Sequence, residues 1–156
     1  MDGLRIEIEN ESKKVLFDES RASGLLRQIL ADAGVERGFL EIAIVDNPTI
    51  HRLNTQFLGH DYPTDVLAFE LERDRETALL EGNVIVSDET ALERAADYGW
   101  PPENELLLYV VHGTLHLVGY DDHAPEDEQL MRAKEREYFG RIGIAAIAGA
   151  DDLGKR

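Results

Sequence analysis

The chain contains no cysteine. Neither a disulfide scaffold nor a thiolate zinc site is available, so any metal must be held by His, Asp or Glu. Long hydrophobic runs are also missing. The longest uncharged apolar stretch, Ile142 to Ala150, falls far short of the ~20 residues that a membrane helix needs. The opening Met1-Asp-Gly-Leu-Arg-Ile-Glu-Ile-Glu is broken by charge and lacks the apolar centre of a signal peptide. A soluble, cytoplasmic protein with no membrane partner is the expectation. Positive charge is scarce as well: 16 Lys and Arg face 32 Asp and Glu, for a net charge of −16. Such a surface repels phosphate backbones at long range, and no DNA partner is expected. A role on nucleic acid would need a locally positive cleft, built from a metal and a few of the basic residues.

What is present is enough apolar material for a core. Of the 156 residues 43% are hydrophobic, which suits a single domain. Leu4 to Glu9 and Phe39 to Val45 alternate apolar and polar residues, as half-buried strands do. Phe17 to Ala33 carries apolar residues at helical spacing and ends at Gly34. A second helix starts at Asn47-Pro-Thr and stops at Gly59. Val66-Leu-Ala-Phe and Asn83-Val-Ile-Val-Ser87 read as buried strands separated by a charged loop or hairpin tip at Arg73 to Thr77. Their short connection predicts an antiparallel pair. Asp88 caps a helix to Tyr98, and Gly99-Trp-Pro-Pro breaks it. Glu103 to Val118 is apolar nearly all round, which predicts a central buried helix. Pro125 to Gly140 is a last, highly charged amphipathic helix. The order β-α-β-α-β-β-α-α-α predicts an α+β or α/β domain, a small mixed sheet covered by helices. It spans residues 1–150, with residues 151–156 as a flexible tail.

The chemistry concentrates in His112-Gly-Thr-Leu-His116-Leu-Val-Gly-Tyr-Asp-Asp-His123, which holds three of the five histidines. His112 and His116, at i and i+4, project from one face of the helix. Gly113 leaves room between them for backbone or substrate. Gly119 can turn the chain so that His123 comes back to the same point. Histidines inside an apolar helix are costly unless they find partners. Three imidazoles and an open fourth position describe catalytic zinc. The spacing is that of His-Glu-x-x-His zinc proteases, but the position of their glutamate base is Gly113, so peptide hydrolysis would need a base from elsewhere. Asp121 and Asp122 are the candidate catalytic acid–base residues, or else supports that orient an imidazole through its other nitrogen.

These residues carry a family resemblance. His112-Gly-Thr-Leu-His-Leu-Val-Gly-Tyr-Asp is similar to the signature of the YbeY family, single-strand-specific endoribonucleases of bacterial ribosomal RNA maturation. Leu53-Asn54 followed by Phe57-Leu-Gly-His-Asp-Tyr-Pro-Thr-Asp-Val-Leu-Ala-Phe69, and Gly82-Asn-Val-Ile-Val-Ser87, resemble two further blocks of that family. Order and spacing agree from about Ile42 to about Glu137. The resemblance implies an α+β fold, one Zn2+ held by His112, His116 and His123 in a cleft, and hydrolysis of single-stranded RNA. It further implies partners in ribosomal RNA and the ribosome, a part in maturing the small-subunit rRNA 3′ end, and ribosome quality control. His60, Asp61, Thr64 and Asp65 are candidate substrate-binding residues, or else turn formers around Pro63.

Three positions depart from the family pattern. Two aspartates rather than one acidic residue precede His123, which lengthens the loop; if His123 does not reach, Asp121 or Asp122 ligates in its place. Leu58 stands where an arginine is common, and Asn83 where an acidic residue is common. The alternatives are a zinc hydrolase of peptides or small molecules, and a non-catalytic ribosome-assembly protein with a structural metal.

Overall fold

The structure, a computed structural model, describes residues 3–59 and 64–149. His60 and Asp61, and the tail expected at 151–156, lie outside the described residues. Nine elements follow in the order β1 (Leu4–Asn10), α1 (Glu19–Asp32), β2 (Arg37–Val45), α2 (Asn47–Leu58), β3 (Val66–Asp74), β4 (Leu79–Ser87), α3 (Asp88–Tyr98), α4 (Pro102–Leu117) and α5 (Pro125–Arg141). The strands form one mixed sheet in the order β1-β2-β4-β3. β1 and β4 run parallel to β2, and β3 runs antiparallel to β4 with Val66 opposite Val86. This is the mixed α+β architecture expected from the element order.

Alternation in the strands sorts their side chains between two cores. Leu40, Ile42 and Ile44 of β2 join Leu80, Val84 and Val86 of β4 on one face, in a core shared with buried residues of α1, α4 and α5. On the other face Val45 and Leu67 pack against Ile50 of α2, with Leu53, Phe69 and Ile85 at the margin. α4 crosses the larger core, and Leu106 through Val111 are buried on every side of it. At roughly 1.5–3 kcal/mol for each fully buried Leu or Val, this helix is the largest single contributor to that core. No helix among the described residues is long and apolar enough to cross a membrane.

Two local expectations are revised. The hairpin strands are longer than their apolar stretches: β3 runs to Asp74 and β4 begins at Leu79, where a loop from Arg73 was expected. β3 is an edge strand, and an edge accepts charged side chains that a central strand would not. Arg73 Nη1 also donates to the Leu79 carbonyl at 3.0 Å, which ties the two strands together near the tip. The cap of α3 is Ser87 rather than Asp88: its Oγ accepts from the Thr90 amide at 3.2 Å, and Asp88 occupies the first helical turn.

Candidate metal centre

The last turn and a half of α4 carries both histidines to the end of the buried helix. Their Nε2 atoms face each other at 3.1 Å, with ring planes at 81°. Gly113 makes the position of this turn possible. A Cβ there would lie 2.6 Å from Val84 Cγ1 and 3.0 Å from Val66 Cγ2, so the helix backbone sits directly on the sheet. The space at this position is thus taken by the sheet, and a glutamate base of the protease kind would not fit. After Leu117 the chain reverses at Gly119, whose φ of +108° is open to glycine and strained for other residues. The Tyr120 amide then donates back to the Leu115 carbonyl at 3.0 Å. This reversal brings Asp122, not His123, to the histidine pair. Asp122 Oδ2 lies 3.3 Å from His112 Nε2 and 3.5 Å from His116 Nε2.

A second carboxylate supports the pair from behind. Glu135 of α5, with 1% of its side chain exposed, places Oε2 2.7 Å from His112 Nδ1. Its other oxygen accepts from Arg132 Nη1. The carboxylate fixes the proton on Nδ1 and leaves Nε2 to face Asp122 and His116, the outer support usual for metal-ligating histidines. Burial opposes charge on His112, but the hydrogen bonds to Asp122 and Glu135 outweigh it and push the imidazole up to about 9. Burial and the neighbouring His112 hold His116 below its ordinary value. The hydrogen bond from His112 holds the Asp122 carboxyl far below the usual range. The site therefore draws in one extra positive charge at the point where three ligand atoms converge. A divalent cation bound there meets the same demand. His112, His116 and Asp122 each offer a ligand atom within 4.8 Å of the others, and the residues present fit a metal.

The remaining sequence candidates fall in several places. His123 is 87% exposed, with Nε2 3.4 Å from Asp121 Oδ1. Together with Asp121 and Asp122 it forms a second group that can hold an ion, and Asp122 belongs to both groups. Asp65 is engaged by Arg94 at 2.8 Å, and Thr64 Oγ1 donates to it at 3.4 Å. Asp65 also lines a cavity of about 140 Å3 together with Tyr109, His112, Asp122 and Arg132, against the apolar Val66 and Leu108. A larger, shallower groove of about 590 Å3 runs along the strands beside Glu7, Glu9 and Glu41, but it contains no histidine or other catalytic grouping.

Glu135 and Arg132 were not among the sequence candidates. The signal for Glu135 lies in α5 itself. Met131, Glu135, Tyr138 and Phe139 form its buried stripe, so a carboxylate sits on the apolar face of the helix. Such a residue needs a partner, and His112 is that partner.

An α+β fold in which a buried helix presents two histidines to an acidic loop beside a small cavity defines a candidate metal-binding site. The chain belongs to the endoribonuclease YbeY family, whose model matches residues 7–143. It is similar to endoribonuclease YbeY of Rhodopirellula baltica, at 46% identity over 86% of this chain and 71% of the relative. It is also similar to endoribonuclease YbeY of Pelotomaculum thermopropionicum, at 36% identity over 88% of this chain and 96% of that one. The solution structure of TM1509 from Thermotoga maritima shares the fold, with a TM-score of 0.59 and 28% identity over 97% of this chain and 99% of that one.

Proposed function

We propose that this chain is a zinc-dependent endoribonuclease that cuts single-stranded RNA during maturation of the small-subunit rRNA 3′ end and in ribosome quality control. Family membership supports RNA as the substrate. The observation that carries the metal-dependent part is the cluster of His112, His116 and Asp122, braced by Glu135 and opening into a cavity. Two imidazoles and a carboxylate leave room for a further ligand in a four-coordinate site. When bound, zinc supplies a Lewis acid that stabilises negative charge developing on phosphoryl oxygens.

The chain's own groups take the other parts. Glu135 keeps His112 in the tautomer whose Nε2 lone pair faces the cluster. In the metal-free protein the hydrogen bond from His112 holds Asp122 far below the usual carboxylate range, so its carboxylate is ionised and ready to ligate when a metal displaces the His112 proton. Asp121, half-exposed and next in the loop, is assigned as acceptor of the proton from the attacking water or 2′-hydroxyl. Asp65, with Thr64 hydrogen-bonded to it, borders the cavity and offers acceptors for ribose hydroxyls; His60 and Asp61, close to them in sequence, are proposed as further substrate-binding residues. A cavity this narrow suits a splayed single strand better than a duplex.

Elemental analysis of the purified protein, paired with cleavage of single- and double-stranded RNA before and after chelation, tests this. One zinc per chain and metal-restored cleavage of the single strand are expected. Unchanged cleavage by His116→Ala would overturn it. The shared Asp122 supports a second reading. If His123 joins His112, His116 and Asp122, four protein ligands close the site and the metal is structural. Metal-edge spectroscopy showing four protein ligands, with no RNA cleavage, would favour that reading.

A further inference from the structure

The site must hold a polyanion on a protein of net charge −16. Among the described residues that line the cavity with His112 and Asp122, Arg132 is the one permanent cation. Its side chain is 13% exposed, and Nη1 is committed to Glu135, its one hydrogen-bond acceptor among the described residues. A guanidinium carries five N–H donors in a planar fork. Glu135 fixes one arm of that fork and so aims the rest of it at the cavity. The cavity, about 140 Å3, is smaller than the roughly 300–1,000 Å3 of sites that engulf whole small molecules. It takes one chemical group rather than a nucleotide.

Resting on the function proposed above, we propose that Arg132 binds the scissile phosphodiester. Nη1 stays on Glu135, and the remaining N–H groups donate to a non-bridging phosphate oxygen seated in the cavity. Glu135 then serves two ends: through Oε2 it orients His112, and through Oε1 it orients the phosphate anchor. Ligand and substrate are held in register by a single buried carboxylate.

The test uses full-length, zinc-loaded protein with Arg132→Gln and Arg132→Lys. Zinc content, kcat and KM for a single-stranded RNA oligonucleotide, the salt dependence of KM, and binding of inorganic phosphate are all read. Arg132→Gln is expected to keep its zinc and to lose roughly 10–100-fold in kcat/KM. Its dependence of log KM on log salt should be shallower by about 0.7, the loss of one phosphate contact on a single strand. Its affinity for inorganic phosphate should fall at least tenfold. Arg132→Lys keeps the charge but not the fork and should recover part of the loss; if the Gln variant does not fold, the Lys variant decides by a several-fold rise in KM. Loss of zinc with KM and salt slope unchanged would make Arg132 a positioning residue for Glu135 and overturn the proposal. If the wild type cleaves no RNA, the function proposed above fails, and phosphate binding still decides on Arg132: equal affinity in wild type and Arg132→Gln refutes it.

Discussion

Replacing Glu135 by Gln changes one atom of a buried side chain and removes one charge. In the native protein each carboxylate oxygen has a donor: His112 Nδ1 at 2.7 Å on Oε2, and Arg132 Nη1 on Oε1. An amide can satisfy only one of them. If its oxygen faces His112, its NH2 group points at the Arg132 guanidinium, donor against donor. If the oxygen faces Arg132, its NH2 meets His112 Nδ1, which must then become an acceptor. The proton moves to Nε2 and points into the metal cluster, where His112 no longer offers a lone pair. Both outcomes weaken metal binding. Loss of such outer support usually costs 10–100-fold in metal affinity, and the forced choice places this variant near the upper end, a cost of about 2.7 kcal/mol. Competition for zinc against a chromophoric chelator at constant pH measures it. The fold should survive, because Gln fills the same volume between Met131 and Phe139. A Glu135→Gln protein that binds zinc within twofold of wild type would refute the view that Glu135 organises the centre.

The metal-free protein should lose stability as pH rises. The folded-state pKa of His112, about 9, lies above the unfolded value near 6.5; its contribution is complete below about 6.5 and lost as pH rises through 9, a change of roughly 3 kcal/mol in urea unfolding. Zinc-loaded protein should show the opposite slope, since protons compete with the metal for the same nitrogen. Gly113→Ala should destabilise by about 1–3 kcal/mol, because its Cβ meets Val84 at 2.6 Å; on an exposed helix face the same change would stabilise, so the sign of the shift in chemical denaturation is diagnostic. Asp122→Asn should weaken zinc binding more than His123→Asn does, as read by the same chelator competition; equal losses would place both residues in the coordination sphere. Chelation should abolish binding of a fluorescent single-stranded RNA, not cleavage alone, and RNA bound undiminished by metal-free protein would contradict the electrostatic role given to the metal.

The fold was legible wherever burial imposes a period. β1 alternates because one face packs on the core, and α4 is apolar all round because neighbours cover it on all sides. The hairpin was misjudged because an edge strand does not need the apolar pattern that marks a central one. His112 and His116 could be read from spacing, since the helix fixes their relative direction. The loop has no such period. Asp121, Asp122 and His123 are neighbours, and all three are chemically able to ligate. The backbone reversal at Gly119 decides which of them reaches the pair, and a sequence does not show the angle of that turn. Glu135 was hidden for another reason. α5 is dense with charge, and one carboxylate attracts notice only when the buried stripe through Met131 and Phe139 is traced.

How so acidic a protein holds RNA is a question of distance. At physiological ionic strength a surface charge is largely screened beyond about 8 Å, so most of the −16 is felt as a barrier to approach and little of it inside the cavity. Within the cavity the balance is short. Asp65 is paired with Arg94, so the groups that count are the Asp122 and Glu135 carboxylates against the Arg132 guanidinium. In the metal-free protein His112, pushed up to about 9, holds a proton at neutral pH; with it the set carries no net charge and offers phosphate no attraction. A divalent ion on the same ligands turns it to one net positive charge. On the function proposed above, the metal would set the sign of the site as well as supply its chemistry. Substrate binding and catalysis would then be conditional on the same ion, and the acidic surface would favour RNA segments flexible enough to bring one phosphate into the cavity.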